Sequence, residues 1–245
     1  MIKKIIKAVN VVFGNFVRVQ SRLSFDEARK CLQETNPKPK GTCYTKNKLA
    51  IQYDLHIIIP AYNAEKYIKE CLESVFIQVS EYSVLATVVN DGSTDQTSII
   101  LENLKKLYKG NQIDIEIINQ DNKGYSGARN TALSFIRGKY IIFLDADDQL
   151  LNDALRRYME IDKEYAPDLM IGEYEDKTVD YTYEKKIYQG SNLNDFLRIS
   201  LENPTQKCNT KAVAFKNSMI QQGIFFENQI RYAEDSVFFL EVLKQ

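Results

Sequence analysis

Tryptophan is absent from the 245 residues, histidine occurs once and cysteine four times. One imidazole, His56, and the widely separated thiols of Cys31, Cys43, Cys71 and Cys208 do not assemble a zinc set, and no Cys-x-x-Cys pair exists. The thiols read as free cysteines of a reducing compartment, which points to the cytoplasm. His56 lies inside an apolar run and is expected to be a core or edge histidine. No stretch approaches the roughly 20 apolar residues that a membrane span requires. A net charge of −1 gives no global reason to expect nucleic acid as a partner. Neither a Walker A loop nor the dinucleotide-binding glycine fingerprint occurs, and no internal repeat is visible.

What charge there is lies unevenly. Residues 1–50 carry 11 Lys/Arg against 3 Asp/Glu, and the remainder carries 21 against 30. The first 22 residues place Ile2, Ile5, Ile6, Val9, Val12, Phe13 and Phe16 at helical spacing, with Lys3, Lys4, Lys7 and Arg18 among them. Two readings of this helix stand open. It lies on an anionic membrane surface, peripheral at the inner face, or it docks on this protein or on a second copy, as a homodimer. The Pro- and Lys-rich stretch Thr35–Lys48 reads as a linker. Residues 1–53 are therefore taken as a basic extension and residues 54–245 as the main domain.

From Leu55 onward, short apolar runs alternate with helical patterns. The runs are Leu55–Ile59, Val84–Val89 and Tyr140–Leu144, and Ile113–Ile118, "IDIEII", reads as the third strand between the last two. The first helix is expected to begin after Asn63 as cap, with Ala64, Ile68, Leu72 and Phe76 on its apolar face. The second is expected to follow the Ser93-Thr94-Asp95 cluster, with Ile99, Ile100, Leu104 and Leu107 inward. The third is expected after the loop "NQDNKGYSGARN", with Ala128, Ala132, Phe135 and Ile136 inward and Gly138 closing it. Strands alternating with helices predict an α/β fold, a mostly parallel sheet with helices on both faces. Ligands of open α/β sheets bind beyond the carboxyl ends of the strands. The loops "PAYN", "NDGSTD", "DNKGYSGARN" and "DADD" all fall at that edge. Beyond Asp148, Asn152–Tyr165 reads as helix and Asp168–Tyr174 as strand. Val179–Tyr188 reads as an antiparallel strand and Asn192–Glu202 as helix. The apolar helix after Glu234 stops at Gln245 with Val237, Phe238, Leu240 and Leu243 in need of cover, as in a piece cut from a longer chain.

Asp145, Asp147 and Asp148 stand directly after the run "YIIF". Two like charges ~4 Å apart cost on the order of 4 kcal/mol at an effective dielectric of ~20, so something must offset their repulsion. Carboxylates at a strand end suit a hard divalent cation, Mn²⁺ or Mg²⁺, whose remaining ligands come from water and phosphates. A nucleoside-diphosphate site is expected. Tyr62 can stack on a base, Asp91 can accept from a base N–H, and Arg129 can approach phosphate near a helix start.

The stretches "IIIPAYNAEKYIKECLESVFIQ", "VVNDGSTDQT", "NKGYSGARNTAL", "YIIFLDADDQL" and "RYAEDSVFFLEVL", in this order, resemble family 2 glycosyltransferases of the GT-A fold. The resemblance implies a Rossmann-like sandwich with a smaller acceptor-side region. It also implies a nucleotide-sugar donor, with a lean to uracil, and inversion at the anomeric carbon. Carried over, Pro60, Ala61, Tyr62, Asn63 and Glu65 border the nucleotide and Asp91 reads the base. Arg129 lies near the phosphates, Asp145 approaches the ribose or sugar, and Asp147 binds the metal. Asp235 is the expected general base, with Glu234 beside it on the acceptor side. The implied acceptor is a glycan, a lipid-linked or another hydroxyl in surface polysaccharide synthesis. This chain departs from the family pattern at Asn90-Asp91, where many members have two aspartates, and in "KCNTKAVAFKN", where an aromatic-rich segment is usual. Two rival readings are a nucleotidyltransferase, disfavoured because no basic Gly-rich triphosphate loop follows the first strand, and a donor-binding module lacking its acceptor half.

Overall fold

A computed structural model describes residues 50–78, 81–110, 112–172, 210–220, 224–226 and 234–243. All belong to one compact unit built from residues 42–175 and 210–245. The readings for the amphipathic N-terminus, the linker, Val179–Tyr188 and Asn192–Glu202 lie outside the described residues.

Four strands lie parallel: β1 (Tyr53–Ala61), β2 (Val84–Asp91), β3 (Ile113–Gln120) and β4 (Gly138–Phe143). Two shorter strands, β5 (Leu169–Ile171) and β6 (Val213–Lys216), extend the sheet to six in the order β3-β2-β1-β4-β6-β5. β6 runs antiparallel to both β4 and β5. The central strands are buried on both faces, which is why they read as continuous apolar runs rather than alternating ones. The Leu55, Ile57 and Ile59 face packs under α1 (Ile68–Phe76), α2 (Thr97–Leu107) and α4 (Ala154–Tyr165) through Leu72, Val75, Leu101, Leu104, Leu155 and Met159. The opposite face meets α3 (Gly124–Leu133), whose Ala128 and Ala132 permit close approach. A four-residue helix, α5 (Asn217–Ile220), follows β6, and α6 (Glu234–Leu243) completes the described residues. The expected mixed α/β layering, mostly parallel with helices on both faces, is what the chain adopts.

Several boundaries differ from the sequence pattern. Asn63 does not cap α1. It takes a left-handed φ of 48° and its Oδ1 accepts from Thr94 N at 2.8 Å, while Ala64–Tyr67 form a turn before the helix begins. On α2 the sheet receives Thr97, Leu101 and Leu104, so Ile99 and Leu107 are 57% and 70% exposed. Two apolar stripes ran side by side on this helix, and the one carrying Leu101 won. α3 begins at Gly124, inside the expected loop, and ends at Leu133, which leaves Phe135 beyond the helical period and partly exposed. Gly138 starts β4 instead of closing a helix. A Cβ there would stand 2.6 Å from His56 Cβ, so glycine is what lets β4 lie against β1. Phe238 of α6 finds its cover within the chain, against Phe143, Phe215 and Phe226, and Phe239 and Val242 are also buried.

His56 is a core residue. Its Nε2 lies 2.8 Å from Thr87 Oγ1, and Arg137 N donates to its Nδ1 at 3.3 Å. Burial first, and the Arg137 charge second, push its pKa down to about 3, so the ring is neutral at physiological pH.

Candidate active site

The carboxyl ends of β1, β2, β3 and β4 deliver four loops to one edge. The β1 and β2 loops are stitched together. Asn63 N donates to Ser93 Oγ at 3.0 Å, Ala64 N to Thr97 Oγ1 at 2.8 Å and Glu65 N to Asp95 Oδ2 at 3.1 Å. In return, Glu65 Oε2 accepts from Gln96 N at 3.0 Å, and Asp95 Oδ1 from Thr97 N at 3.0 Å. Glu65 and Asp95 thereby satisfy open N–H groups at the start of α2, where negative charge is favoured. Pro60 and Ala61 are buried at the end of β1, and Tyr62 stands 53% exposed beside them.

Asp91 ends β2 and is 2% exposed. Its Oδ1 accepts from Gln120 Nε2 at 2.6 Å and from Lys123 N at 2.8 Å. Gln120 Oε1 is buried with no hydrogen-bond partner among the described residues. Gly92 follows at a φ of 72°, with Asn122 N 2.9 Å from where its Cβ would sit. This close approach brings the β2 and β3 loops together. Asn90 has a structural reason to be an amide: its Nδ2 donates to Ser98 Oγ at 2.8 Å and to Asn119 Oδ1 at 2.9 Å, which an aspartate could not do.

At the end of β4, Asp145, Asp147 and Asp148 offer carboxylate oxygens that all lie within 4.8 Å of one another. Leu144 N still bonds Ile58 O at 3.0 Å, and Asp148 N closes a turn onto Asp145 O at 3.0 Å, which folds the three acids together. Cations answer two of them. Arg129 Nη2 donates to Asp145 Oδ1 at 2.8 Å, and Lys211 Nζ lies 2.9 Å from Asp148 Oδ2. Asp147 makes no hydrogen bond or ion pair among the described residues, and it is exposed. An oxygen-only, acidic donor set with one ligand left open fits a hard divalent cation. Burial lowers the Lys211 pKa, but the bond to Asp148 and the charges of Asp145 and Asp147 outweigh it and leave it raised.

Arg129 is nearly buried. Its guanidinium lies over the Tyr125 ring at 4.1 Å and the Phe226 ring at 4.9 Å, and its Nη1 is 3.6 Å from Glu234 Oε1. Nε and Nη1 find no hydrogen-bond acceptor among the described residues. Desolvation, then the Asp145 charge, push the Tyr125 phenol pKa well up. Glu234 opens α6, and burial raises its carboxyl pKa. Its own backbone N–H and Arg129 oppose that rise, while Asp235 and Asp145 add to it. Asp235 is the next residue of the same turn.

α6 is held in place from α3. Asn130 Nδ2 donates to Phe226 O at 2.8 Å and its Oδ1 accepts from Phe226 N at 2.7 Å. Phe226 stacks on Phe238 with centroids 4.0 Å apart and an interplanar angle of 2°. The structure thus joins Arg129, Asp145, Asp147 and Glu234 in one contiguous acidic edge. Asn63 and Glu65 are bonded into the loop scaffold after β1, the strand beside β4, and Asp91 ends β2, one strand further along the sheet. Sequence reading missed Lys211, Asn130, Gln120 and Tyr125. Asn130 and Tyr125 flank Arg129 within "GYSGARN", the one local signal. Lys211 has none, since it reaches the acids from the turn before β6.

The chain matches the model described as glycosyl transferase family 2 over residues 56–226. It is 33% identical over 198 residues to the teichoic acid poly(glycerol phosphate) polymerase of Staphylococcus epidermidis, covering 78% of this chain and 26% of that protein. It is also 33% identical over 192 residues to the poly(ribitol-phosphate) beta-glucosyltransferase of Bacillus spizizenii, covering 75% of this chain and 28% of that one. The chain therefore spans little more than a quarter of the length of these two relatives. Among solved structures, residues 1–349 of S. aureus TarS in complex with UDP-GlcNAc are similar with a TM-score of 0.64 and 24% identity, over 78% of this chain and 53% of that one. Strand order, site edge and family match agree: the chain belongs to glycosyl transferase family 2 and has its GT-A fold.

Proposed function

We propose that this chain carries the catalytic region of an inverting glycosyltransferase that moves a sugar from a UDP-sugar to a hydroxyl of a teichoic acid or related surface polysaccharide. The observation that carries the reading is the cluster of Asp145, Asp147 and Asp148 at the end of β4, on the same sheet edge as Asp91 of β2 and joined through Arg129 to Glu234 of α6. The names of the relatives support the polymer class, and the bound ligand of TarS supports the uridine donor.

In this reading Tyr62 stacks on the base and Asp91 accepts from its N–H. Asp147, with Asp145 and Asp148 beside it, holds Mn²⁺ or Mg²⁺. A divalent cation, when bound, stabilises the negative charge of the departing diphosphate. Arg129 holds Asp145 and Glu234 in position, and Asp235 removes the proton from the acceptor hydroxyl. The acceptor oxygen bonds to the anomeric carbon as the bond from that carbon to the diphosphate breaks, and the nucleoside diphosphate leaves with the electron pair. A single displacement of this kind inverts the anomeric centre and needs one base.

The test is UDP binding by calorimetry with and without Mn²⁺, on the parent and on Asp147→Ala. The expected result is Mn²⁺-dependent binding that Asp147→Ala abolishes while its melting temperature does not fall, since the exposed side chain makes no bond that the fold would lose and its removal relieves repulsion from Asp145 and Asp148. Equal Mn²⁺-dependent affinity in both proteins would refute the assignment.

A further inference from the structure

The three acids at the end of β4 are not equivalent, and the lysine that faces them comes from a different part of the chain. Lys211 sits in the turn that leads into β6. That turn is fixed: Ala212 O accepts from Tyr158 Oη of α4 at 2.6 Å and from Gly172 N at 2.6 Å, and Thr210 is buried. The backbone under Lys211 is therefore held by two elements, while its four-carbon stem carries the ammonium outward. Its side chain is 44% exposed, and the Asp148 side chain it meets is 39% exposed. An ion pair open to water to this degree is weakly held, and its partners exchange readily.

The charges around the cluster make an exchange favourable. With Arg129 on Asp145 and Lys211 on Asp148, two of three negative charges are answered before any ligand arrives. A divalent cation alone would compete with the Lys211 ammonium for Asp148. A diphosphate arriving with the cation brings anionic oxygens that the ammonium can turn to, which frees Asp148. A flexible, compact point charge is suited to that exchange, whereas the buried and stacked Arg129 is not.

We propose that Lys211 is a diphosphate-binding residue held in reserve by Asp148. It exchanges that carboxylate for phosphate oxygens when the donor binds, and it thereby couples metal binding to nucleotide binding. The proposal rests on the donor reading above. Such coupling is reciprocal, so a residue that weakens metal binding without nucleotide also strengthens the dependence of one ligand on the other.

The experiment compares the parent with Lys211→Met, Lys211→Gln and Lys211→Arg. Mn²⁺ binding without nucleotide is read by electron paramagnetic resonance, and UDP and UMP binding in Mn²⁺ by calorimetry. Loss of one charge-assisted bond predicts a roughly tenfold weaker UDP affinity in Lys211→Met and Lys211→Gln. UMP affinity should move by less than about twofold, because only the second phosphate loses a partner. Nucleotide-free Mn²⁺ should bind severalfold more tightly in both, since a competing cation is gone. Lys211→Arg should keep most of the UDP affinity. Unchanged UDP affinity, an equal loss for UDP and UMP, or weaker Mn²⁺ binding would each overturn the role given to Lys211 while leaving the donor reading intact. A parent that binds no UDP overturns both.

Discussion

Asp235 and Glu234 are adjacent acids in the first turn of α6. Glu234 faces Arg129 at 3.6 Å, and burial raises its pKa, so it is tied to the Asp145 side of the site. In the function proposed above, Asp235 takes the acceptor proton. Asp235→Asn keeps shape and charge-free capping but cannot take a proton. Its transfer rate should fall by ~10²–10⁴ with donor affinity nearly unchanged. Parent-like turnover measured on this variant would remove the assignment. His56 makes a prediction of a different kind. Its folded pKa is lowered to about 3, so between there and ~6.5 the unfolded chain binds a proton that the folded chain does not. Stability is then highest above ~6.5 and is lost as pH falls, by about 2 kcal/mol from this group between pH 7.5 and pH 5. Urea melts at the two pH values should show a smaller drop in His56→Gln than in the parent. Equal drops would mean that the ring is charged in the fold. At this scale the sequence was informative where chemistry is local. Asp91, Arg129, Asp145 and Asp147 stand in motifs at strand ends and helix starts. Lys211 was invisible because it reaches Asp148 only by a tertiary approach from the turn before β6.

Elements were legible in kind and less so in extent. Strands β1, β2 and β4 follow from apolar runs, because strands buried on both faces have no polar side to interrupt them, whereas β3, at the sheet edge, shows Asp114 and Glu116 between its isoleucines. Helix ends were misread where side chains bond across loops rather than cap. Asn63 looked like a cap and instead receives Thr94 N. Gly138 looked like a helix terminator and instead accommodates His56. The placement of α6 was not legible, since it depends on tertiary contacts: Phe238 packs on Phe143, Phe215 and Phe226, and Asn130 bonds the backbone N–H and C=O of Phe226. Asn130→Ala leaves two buried backbone groups without partners, at about 1–3 kcal/mol each. Because Phe226 stacks under Phe238, the helix carrying Glu234 and Asp235 should shift while the loops around Asp91 do not. The expected result is a fall in kcat with little change in UDP affinity. A parallel loss of both would show that Asn130 supports the whole edge and not α6 alone.

On the scale of the molecule, the parallel strands and the acids that follow them are nearly continuous in sequence, from β1 to Asp148, and the segment that completes the sheet and carries Lys211 and Glu234 returns later, from Thr210 onward. That continuity is why the family resemblance was strongest over the first stretch. Charge is divided along the chain in another way, with 11 basic against 3 acidic residues up to Ala50 and the reverse bias beyond. Among the described residues no helix is long and apolar enough to cross a membrane. The first 22 residues hold Lys3, Lys4, Lys7, Arg18 and Arg22 with no acid, alongside an apolar stripe. Each basic group near an anionic leaflet contributes about 1 kcal/mol, and the Debye length shrinks from about 8 Å to about 3 Å between 0.15 M and 1 M salt. If the segment attaches the protein to a polymer-assembling membrane, the full chain should sediment with phosphatidylglycerol vesicles at 0.15 M salt. It should come off largely at 1 M, and it should not bind neutral phosphatidylcholine. Deleting residues 1–22 should abolish sedimentation and leave the melting temperature within about 2 °C, since a membrane-facing stripe contributes little to the fold. A chain that ignores anionic vesicles, or a deletion that costs several degrees or splits a dimer, would place the stripe against protein instead.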